Sequence, residues 1–359
     1  MDDRLVAIES FCGAGGLSLG LSHAGFHVAA AFDHDADAVT TYRDNLGDHV
    51  FQADICQVTG SMLRERANLT PGEEVALFTG GPPCQGFSTQ TRGAHYGDRR
   101  NRLVLEYLRL VHELQPRAFI MENVAQLAHT RGTAFVDEFK RQLDAGYVLT
   151  GHFYTAADYG VAQTRERFIL VGIREDQPGG FHIPKPTTPH WLTVGQVIGD
   201  LPEPPADYTV HPRYPNHQAA RVQPLNIERF SHVPQGGGWR HIPEHLRLEC
   251  HKQVNPTKGG WPDVYGRLKM DGQCPTITAG FDSFTRGRYG HPTANRPLTP
   301  REAARLQGFP DWFRFHGTRH AVRHQIGNAV PVTLGQAIAG AVKDALIGVT
   351  ARIDPLRLF

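Results

Sequence analysis

Cys84 stands in the run Gly80-Gly81-Pro82-Pro83-Cys84-Gln85-Gly86-Phe87-Ser88, directly after the apolar stretch Val75-Ala76-Leu77-Phe78-Thr79. A thiol on a Gly- and Pro-rich loop at the end of a buried-strand pattern is placed as a nucleophile would be. The small residues let backbone approach a ligand, and the prolines fix the direction of the sulfur. The alternative is a cysteine packed as a small apolar residue, but Gly-Gly-Pro-Pro before it and Gln-Gly after it make a poor core element. Glu122, in Glu122-Asn123-Val124, also follows an apolar run, Ala118 to Met121. A carboxyl group delivered into a cleft beside a cysteine can be kept protonated by burial and donate to a ring nitrogen. Gln163-Thr164-Arg165-Glu166-Arg167 precedes another apolar run and brings two guanidinium groups, whose planar donors suit anionic or carbonyl oxygens.

A second loop invites a cofactor. Phe11-Cys12-Gly13-Ala14-Gly15-Gly16 lies between a strand pattern and a helix pattern, where glycine permits a tight turn and close ligand approach. It departs from the dinucleotide fingerprint at its last position, which is Ser18. Asp33, at the end of the next strand, is suited to accept from ribose hydroxyls. Asp54, in Gln52-Ala53-Asp54-Ile55, is suited to accept from an exocyclic adenine amine. The pattern points to a nucleoside-containing cofactor, the alternative being a merely structural turn with a surface aspartate.

These residues need a scaffold that delivers them to one place. Apolar runs at Leu5–Ile8, Val28–Phe32, Val75–Thr79, Ala118–Met121 and Phe168–Ile173 read as strands. Helical stretches at Leu17–Ala24, Ala36–Asn45 and Leu103–Leu114 separate them. That alternation predicts an α/β fold with a mostly parallel sheet covered on both faces. Ligands in such sheets gather at the carboxyl ends of the strands, where Asp33, Cys84 and Glu122 all fall. After about Pro178 the texture changes: prolines, glycines and histidines crowd together and long helical periodicity disappears. This predicts a smaller, loop-rich second domain. Regular structure returns with a helix capped by Thr299 and opened by Pro300, and with a final helix after Pro331.

Composition narrows the class. The chain of 359 residues is long enough for two domains, and no run approaches the ~20 apolar residues of a membrane span. Met1-Asp2-Asp3-Arg4 lacks the flank and cleavage site of a secretory signal. Five scattered cysteines without a C-x-x-C pair argue for a reducing cytoplasm and against a disulfide framework. His245, Cys250 and His251 fit no metal template, so no metal is expected. Residues 182–324 carry 18 Lys/Arg against 11 Asp/Glu, the remainder 19 against 25, and twelve of the twenty histidines lie in that window. A basic segment on an otherwise acidic chain points to a polyanionic partner; an ordinary solvated surface is the alternative.

The ordered motifs Phe11-x-Gly13-x-Gly15-Gly16, Gly81 to Ser88, Glu122-Asn123-Val124, Gln163-x-Arg165-x-Arg167, Pro297 to Asp311 and Gln325-Ile326-Gly327-Asn328-Ala329-Val330 resemble those of the DNA cytosine-5 methyltransferases, bacterial restriction-modification type. The resemblance spans Phe11 to Val330. It implies a Rossmann-like catalytic domain at 1–185 plus 323–359, and a target-recognition domain at 186–322. It implies that the Cys84 thiolate attacks carbon 6 of a cytosine flipped out of duplex DNA. Glu122 would engage ring nitrogen 3 and the exocyclic amine, Arg165 the carbonyl oxygen, and Arg167 would support the site. The methyl donor would be S-adenosylmethionine, leaving S-adenosylhomocysteine. Phe11 would stack on adenine, Asp33 would bind the ribose, and Asp54 and Ile55 would contact the adenine. Gly13, Gly15 and Gly16 would form the turn, and Pro83, Leu103, Asn328 and Val330 would line the pocket. Family members often carry Glu where this chain has Asp33. His34 stands where an apolar or aromatic residue commonly meets adenine. The loop from Gln85 to Asn101, with Ser88, Arg92, Arg99 and Arg100, would close over DNA, and Arg267, Thr276, Arg286 and Arg288 are candidates for contacting it. A companion restriction endonuclease and a monomeric state in the cytoplasm are further expectations. Several readings compete. An RNA methyltransferase on the same scaffold is disfavoured by Gly86-Phe87-Ser88 and the long basic segment. A dead DNA-binding relative is disfavoured by the intact Cys84 and Glu122. An amino-methyltransferase would carry an aromatic residue in place of Cys84, and a nicotinamide dehydrogenase leaves Cys84 unexplained.

Overall fold

The computed structural model describes residues 4–83, 99–124, 146–252, 254 and 263–349. The chain divides into two compact units, one of Met1–Tyr154, Glu166–Pro186 and Leu334–Phe359, the other of Thr155–Arg165 and Thr187–Thr333.

The first unit carries the sheet. Its strands are β1 (Val6–Ser10), β2 (His27–Asp33), β3 (Val50–Gln52), β4 (Leu77–Gly80), β5 (Ala118–Val124), β6 (Tyr147–Thr155) and β7 (Glu166–Arg174). They lie in the order β3-β2-β1-β4-β5-β7-β6. The pairs β1–β2, β1–β4, β2–β3 and β4–β5 are parallel, whereas β5–β7 is antiparallel. The expected mostly parallel α/β sheet is therefore observed, with β7 running against its neighbour. The apolar runs read as strands because both faces are covered: every residue of β1 and β4 is buried. Helices α1 (Gly16–His23), α2 (Ala36–Leu46), α3 (Gly60–Arg66) and α4 (Arg99–Leu114) connect strands in sequence. From α4, Tyr107, Leu108, Leu110, Val111 and Leu114 enter a core with Ile8, Phe32, Phe78, Phe119 and Leu170.

Register decides where the loops emerge. Ser10 pairs with Phe32 on β2 and with Gly80 on β4, and Gly80 pairs with Met121 on β5. The glycine loop after β1, Asp33, the Gly81-Pro82-Pro83 segment and Glu122 thus leave four parallel strands at one level. The chain order reverses between β1 and β4, the place where open α/β sheets form a ligand crevice.

The second unit contains short helices, α5 (Val194–Ile198), α6 (Pro224–Ser231), α7 (Pro300–Leu306) and α8 (Arg319–Asn328). Among its described residues the β pairing consists of isolated bridges such as Arg267–Gly290 and Gly290–Pro297. Its small core stacks Phe230 on Phe284 at 4.3 Å and Tyr265 on Phe284 at 5.7 Å, with Trp239 and Ile242 packed beside them. Helix α7 begins as its sequence predicts: the Thr299 side chain accepts from the Glu302 backbone N–H, Glu302 answers with a bond from Thr299 N–H, and Pro300 opens the first turn. The final helix, α9 (Val332–Leu346), follows Pro331.

Candidate active site

The glycine loop is held in an unusual backbone shape. Phe11 has φ 52°, Gly13 φ 52° and Gly15 φ 96°, all in the left-handed region. At Gly15 a side chain is excluded, because its Cβ would lie 2.4 Å from Leu46 Cδ1 and 2.9 Å from Tyr42 Cδ2. At Gly13 the corresponding position faces open space. Asp33 fixes the loop: the Gly13 N–H donates to Asp33 Oδ2 at 2.8 Å, and the Asp35 N–H donates to Asp33 Oδ1 at 2.9 Å. Burial opposes ionisation of Asp33, but hydrogen bonds from His34 and from those two N–H groups outweigh it and hold its pKa below the ordinary range. His34 is exposed, with Nδ1 3.1 Å from Asp33 Oδ1, and that bond raises its pKa.

This arrangement fits a nucleoside. Asp33 is a held, ionised carboxylate with acceptor capacity to spare. Phe11 is half-buried at the loop, and the space at Gly13 is open. Asp54 is exposed, and one of its oxygens accepts from Cys56 N–H at 3.0 Å. Ile55 is buried, its side chain packs in the core, and its carbonyl accepts from Arg109 Nη2 and Val58 N–H. Gly16 opens α1 and is buried, and Pro83 and Leu103 are half-buried. Asn328 ends α8 and is exposed, while Val330 is half-buried; both belong to the second unit.

The catalytic groups divide differently from the sequence reading. Cys84 lies outside the described residues, as do Gln85, Ser88 and Arg92; Arg99 and Arg100 open α4, but their side chains are not described. Pro83, the residue before Cys84, leads from the end of β4. Glu122 Oε1 lies 2.8 Å from Arg167 Nε, and both side chains are largely buried, 13% and 10% exposed. A Cβ on Gly81 would come within 3.1 Å of Glu122 Oε2, so the carboxylate lies against the segment that leads to Cys84. Arg167 is thus the arginine at Glu122. Arg165, expected to hold the cytosine carbonyl, instead donates from Nη1 to the carbonyls of Ile277 at 3.0 Å and Gly327 at 3.1 Å and is almost fully buried. Gln163 works beside it: Nε2 donates to the Leu306 carbonyl, and Oε1 accepts from Ile277 N–H.

Two of the DNA-contact candidates have partners within the protein. Arg267 is 5% exposed and donates to the carbonyls of Phe230, Val233, His291 and Ala294 and to Asn295 Oδ1, with its guanidinium 3.9 Å from the Phe230 ring. Arg288 donates to the carbonyls of Gly236 and Gly237 and pairs with Asp263 at 2.9 Å. A positive charge in the sequence does not distinguish an arginine facing solvent from one saturating carbonyls. Thr276 is half-buried, and its carbonyl accepts from Tyr289 Oη at 2.8 Å. Arg286 is exposed.

The sequence reading missed a buried polar group beneath the glycine loop, Glu9 with Ser18 and Tyr42. The signal was present: Glu9 is an acid inside the apolar run Leu5 to Phe11, at the end of a strand with no exposed face.

A family model for C-5 cytosine-specific DNA methylases matches residues 5–344. The chain belongs to that family. It is a DNA cytosine-5 methyltransferase. It is 36% identical over 354 residues to the type II methylase M.HgiDII of Herpetosiphon aurantiacus, covering 96% of this chain and 97% of that one. It is 36% identical over 345 residues to the type II methyltransferase M1.HphI of Haemophilus parahaemolyticus, covering 94% and 86%. Among solved structures, a prophage-encoded DNA modification methyltransferase from E. coli matches with a TM-score of 0.71 at 27% identity, over 96% of this chain and all of that one. No described helix of the methyltransferase is long and apolar enough to cross a membrane.

Proposed function

We propose that the methyltransferase acts on a cytosine everted from duplex DNA, with Cys84 as nucleophile, Glu122 as the group on ring nitrogen 3 and Arg167 as its partner. The observation that carries this reading is the Glu122–Arg167 pair at the end of β5, set against Gly81, which leads directly into Pro82-Pro83-Cys84. Attack on a stacked base is blocked by its neighbours, so the target leaves the helix first.

The Cys84 thiolate forms a bond to carbon 6, and the displaced π-electrons make carbon 5 nucleophilic. Glu122 stabilises that electron-rich ring by sharing a proton with nitrogen 3 and accepting from the exocyclic amine. Arg167 fixes the carboxyl through Nε, and its remaining donors are suited to the ring carbonyl oxygen, the task the sequence reading gave to Arg165. Arg165 serves by bracing the segments at Ile277 and Gly327. S-adenosylmethionine, when bound, supplies an electrophilic methyl group to carbon 5. Loss of the carbon-5 proton to water then restores the double bond and expels the Cys84 thiolate. Phe11, Asp33 and the glycine turn at Gly13, Gly15 and Gly16 would hold the cofactor, with Asp54, Pro83 and Leu103 at its edges; the family resemblance adds Ile55, Asn328 and Val330 to the cofactor residues. Residues 186–322 would carry target recognition, with Arg286 on DNA. A type II activity paired with a restriction endonuclease agrees with the names of the relatives.

Radiolabelled methyl transfer to duplex DNA and to RNA tests the assignment. Label on cytosine carbon 5 of duplex alone, abolished by Cys84→Ser, is the expected result. Label on RNA, or full transfer by Cys84→Ser, would overturn it.

A further inference from the structure

The glycine loop is held from the front by Asp33, and it also has a support behind it. Tyr42, fully buried on α2, places its ring under Gly15, where together with Leu46 it leaves no room for a side chain. Its hydroxyl lies 2.7 Å from Ser18 Oγ, in the first turn of α1. The Ser18 hydroxyl also donates to the carboxyl of Glu9, near the end of β1 just before the loop. On the other side, Tyr42 Oη lies 2.9 Å from His49 Nε2, at the wall of a cavity of about 270 Å³ lined by Ser18, Tyr42, His27 and His49. One unbroken chain of polar groups therefore joins the strand that enters the loop, the helix that leaves it and the tyrosine beneath it.

We propose that Tyr42, acting through Ser18 and Glu9, is a positioning residue that sets the glycine loop in its cofactor-binding shape. The inference rests on the reading that this loop holds S-adenosylmethionine. Beyond the Asp33 bond and two main-chain bonds, Cys12 N–H to Phe32 and Gly15 N–H to Cys12, the loop depends on its supports: Phe11, Gly13 and Gly15 all sit at positive φ, costly for Phe11, and the glycines carry no side chains to anchor. The Ser18 hydroxyl has one proton and two lone pairs, and the contacts to Glu9 and Tyr42 use them in a single arrangement. Burial pushes the Glu9 carboxyl up to about 8, with the Ser18 hydrogen bond opposing the rise and the charge of Asp33 adding to it. Among the described residues Glu9 has no cation partner, so Ser18 and Tyr42 are what hold it. Without the Tyr42 hydroxyl the helix start is released from the chain and the loop samples other shapes. Apparent affinity then falls by the fraction of molecules no longer competent, while turnover of the loaded enzyme is kept.

Tyr42→Phe keeps the ring under Gly15 and removes only the hydroxyl; Ser18→Ala cuts the same chain one bond further on. With S-adenosylmethionine as the probe, each is expected to raise KM for it about fivefold. The double variant should be no worse than the poorer single one, because one chain is being cut twice. The kcat at saturating cofactor and the KM for duplex DNA should stay within about twofold of wild type. A lowered melting temperature with unchanged KM would overturn the proposal, since that is what a purely structural role gives. Asp33→Ala separates the proposal from its basis. If Asp33→Ala weakens cofactor binding and Tyr42→Phe and Ser18→Ala do not, only the positioning role fails. If Asp33→Ala binds S-adenosylmethionine like wild type, the assignment of the loop as the cofactor site fails as well.

Discussion

Glu9 in the first unit and Glu302 in the second are equally buried, each 1% exposed, yet they sit in opposite electrostatic surroundings. Glu9 is met by a hydroxyl, and burial raises its pKa to about 8. Glu302 is met by Arg296, whose Nη1 and Nη2 reach its two oxygens at 2.9 Å and 2.8 Å. Burial again opposes ionisation there, but the guanidinium outweighs it and keeps the carboxyl below its ordinary range. Arg167 pairs with Glu122 and gives one further bond, to the Glu166 carbonyl, whereas Arg267 and Arg301 each donate to several main-chain carbonyls: Arg301 to Pro215, Pro310 and Phe313. The difference traces to backbone hydrogen bonding. In the first unit the β-ladders pair the strand backbone, and arginines that serve carbonyls do so outside the sheet: Arg109 at Ile55 and Val58, Arg174 at Gln115. The second unit has only isolated bridges among its described residues, and the five donors of a guanidinium stand in for the missing ladder.

Breaking the first half of that comparison should have the largest effect. Glu122→Gln removes the proton carrier and is expected to lower kcat on the order of 10³-fold with melting temperature nearly unchanged, checked by single-turnover methyl transfer and calorimetry. Arg267→Ala tests the other half: stability should fall by about 4 kcal/mol in urea, because a buried guanidinium vanishes and its carbonyls lose their donors. A variant that melted like wild type but bound DNA weakly would return Arg267 to the DNA surface. The two glutamates sharpen the contrast through pH. The unfolded chain releases the Glu9 proton above about 4.5 while the folded chain keeps it to about 8, so unfolding sheds a proton and stability falls as pH rises through that window. Glu9→Gln should abolish this part of the decline, gaining on wild type by about 3 kcal/mol between pH 5.5 and 7.5. Glu302→Gln should behave oppositely, since a lowered pKa gives stability present above the unfolded value and lost in acid. Arg286→Ala is the smallest change: unaltered stability, a DNA affinity lower by about 1 kcal/mol and a salt slope reduced by about 1.

The sheet was legible because its strands are buried on both faces and read as continuous apolar runs. Short β3 has only three residues, and β6 mixes half-buried and exposed positions around Thr150, Gly151 and His152, so neither gave such a run. Helix α3 was not read from the sequence; in the structure its start is fixed by the Thr59 side chain, which accepts from Met62 N–H. Asp33 and Glu122 were legible as polar residues just past apolar runs, a local pattern. The difference in partners between Arg165 and Arg167 was not, because those partners are distant in sequence: Ile277 and Gly327 for Arg165, Glu122 for Arg167. Arg267 and Arg288 defeated the charge count for the same reason.

Covalent capture tests the central claim most directly. Duplex DNA substituted throughout with 5-fluorocytosine, incubated with the enzyme and S-adenosylmethionine, should give a denaturant-resistant adduct. Fluorine cannot leave carbon 5 as a proton does, so the sulfur stays bound. Peptide mapping should place the bond at Cys84, and Cys84→Ser should form none. An enzyme that methylates ordinary duplex yet forms no adduct at Cys84 would contradict the account.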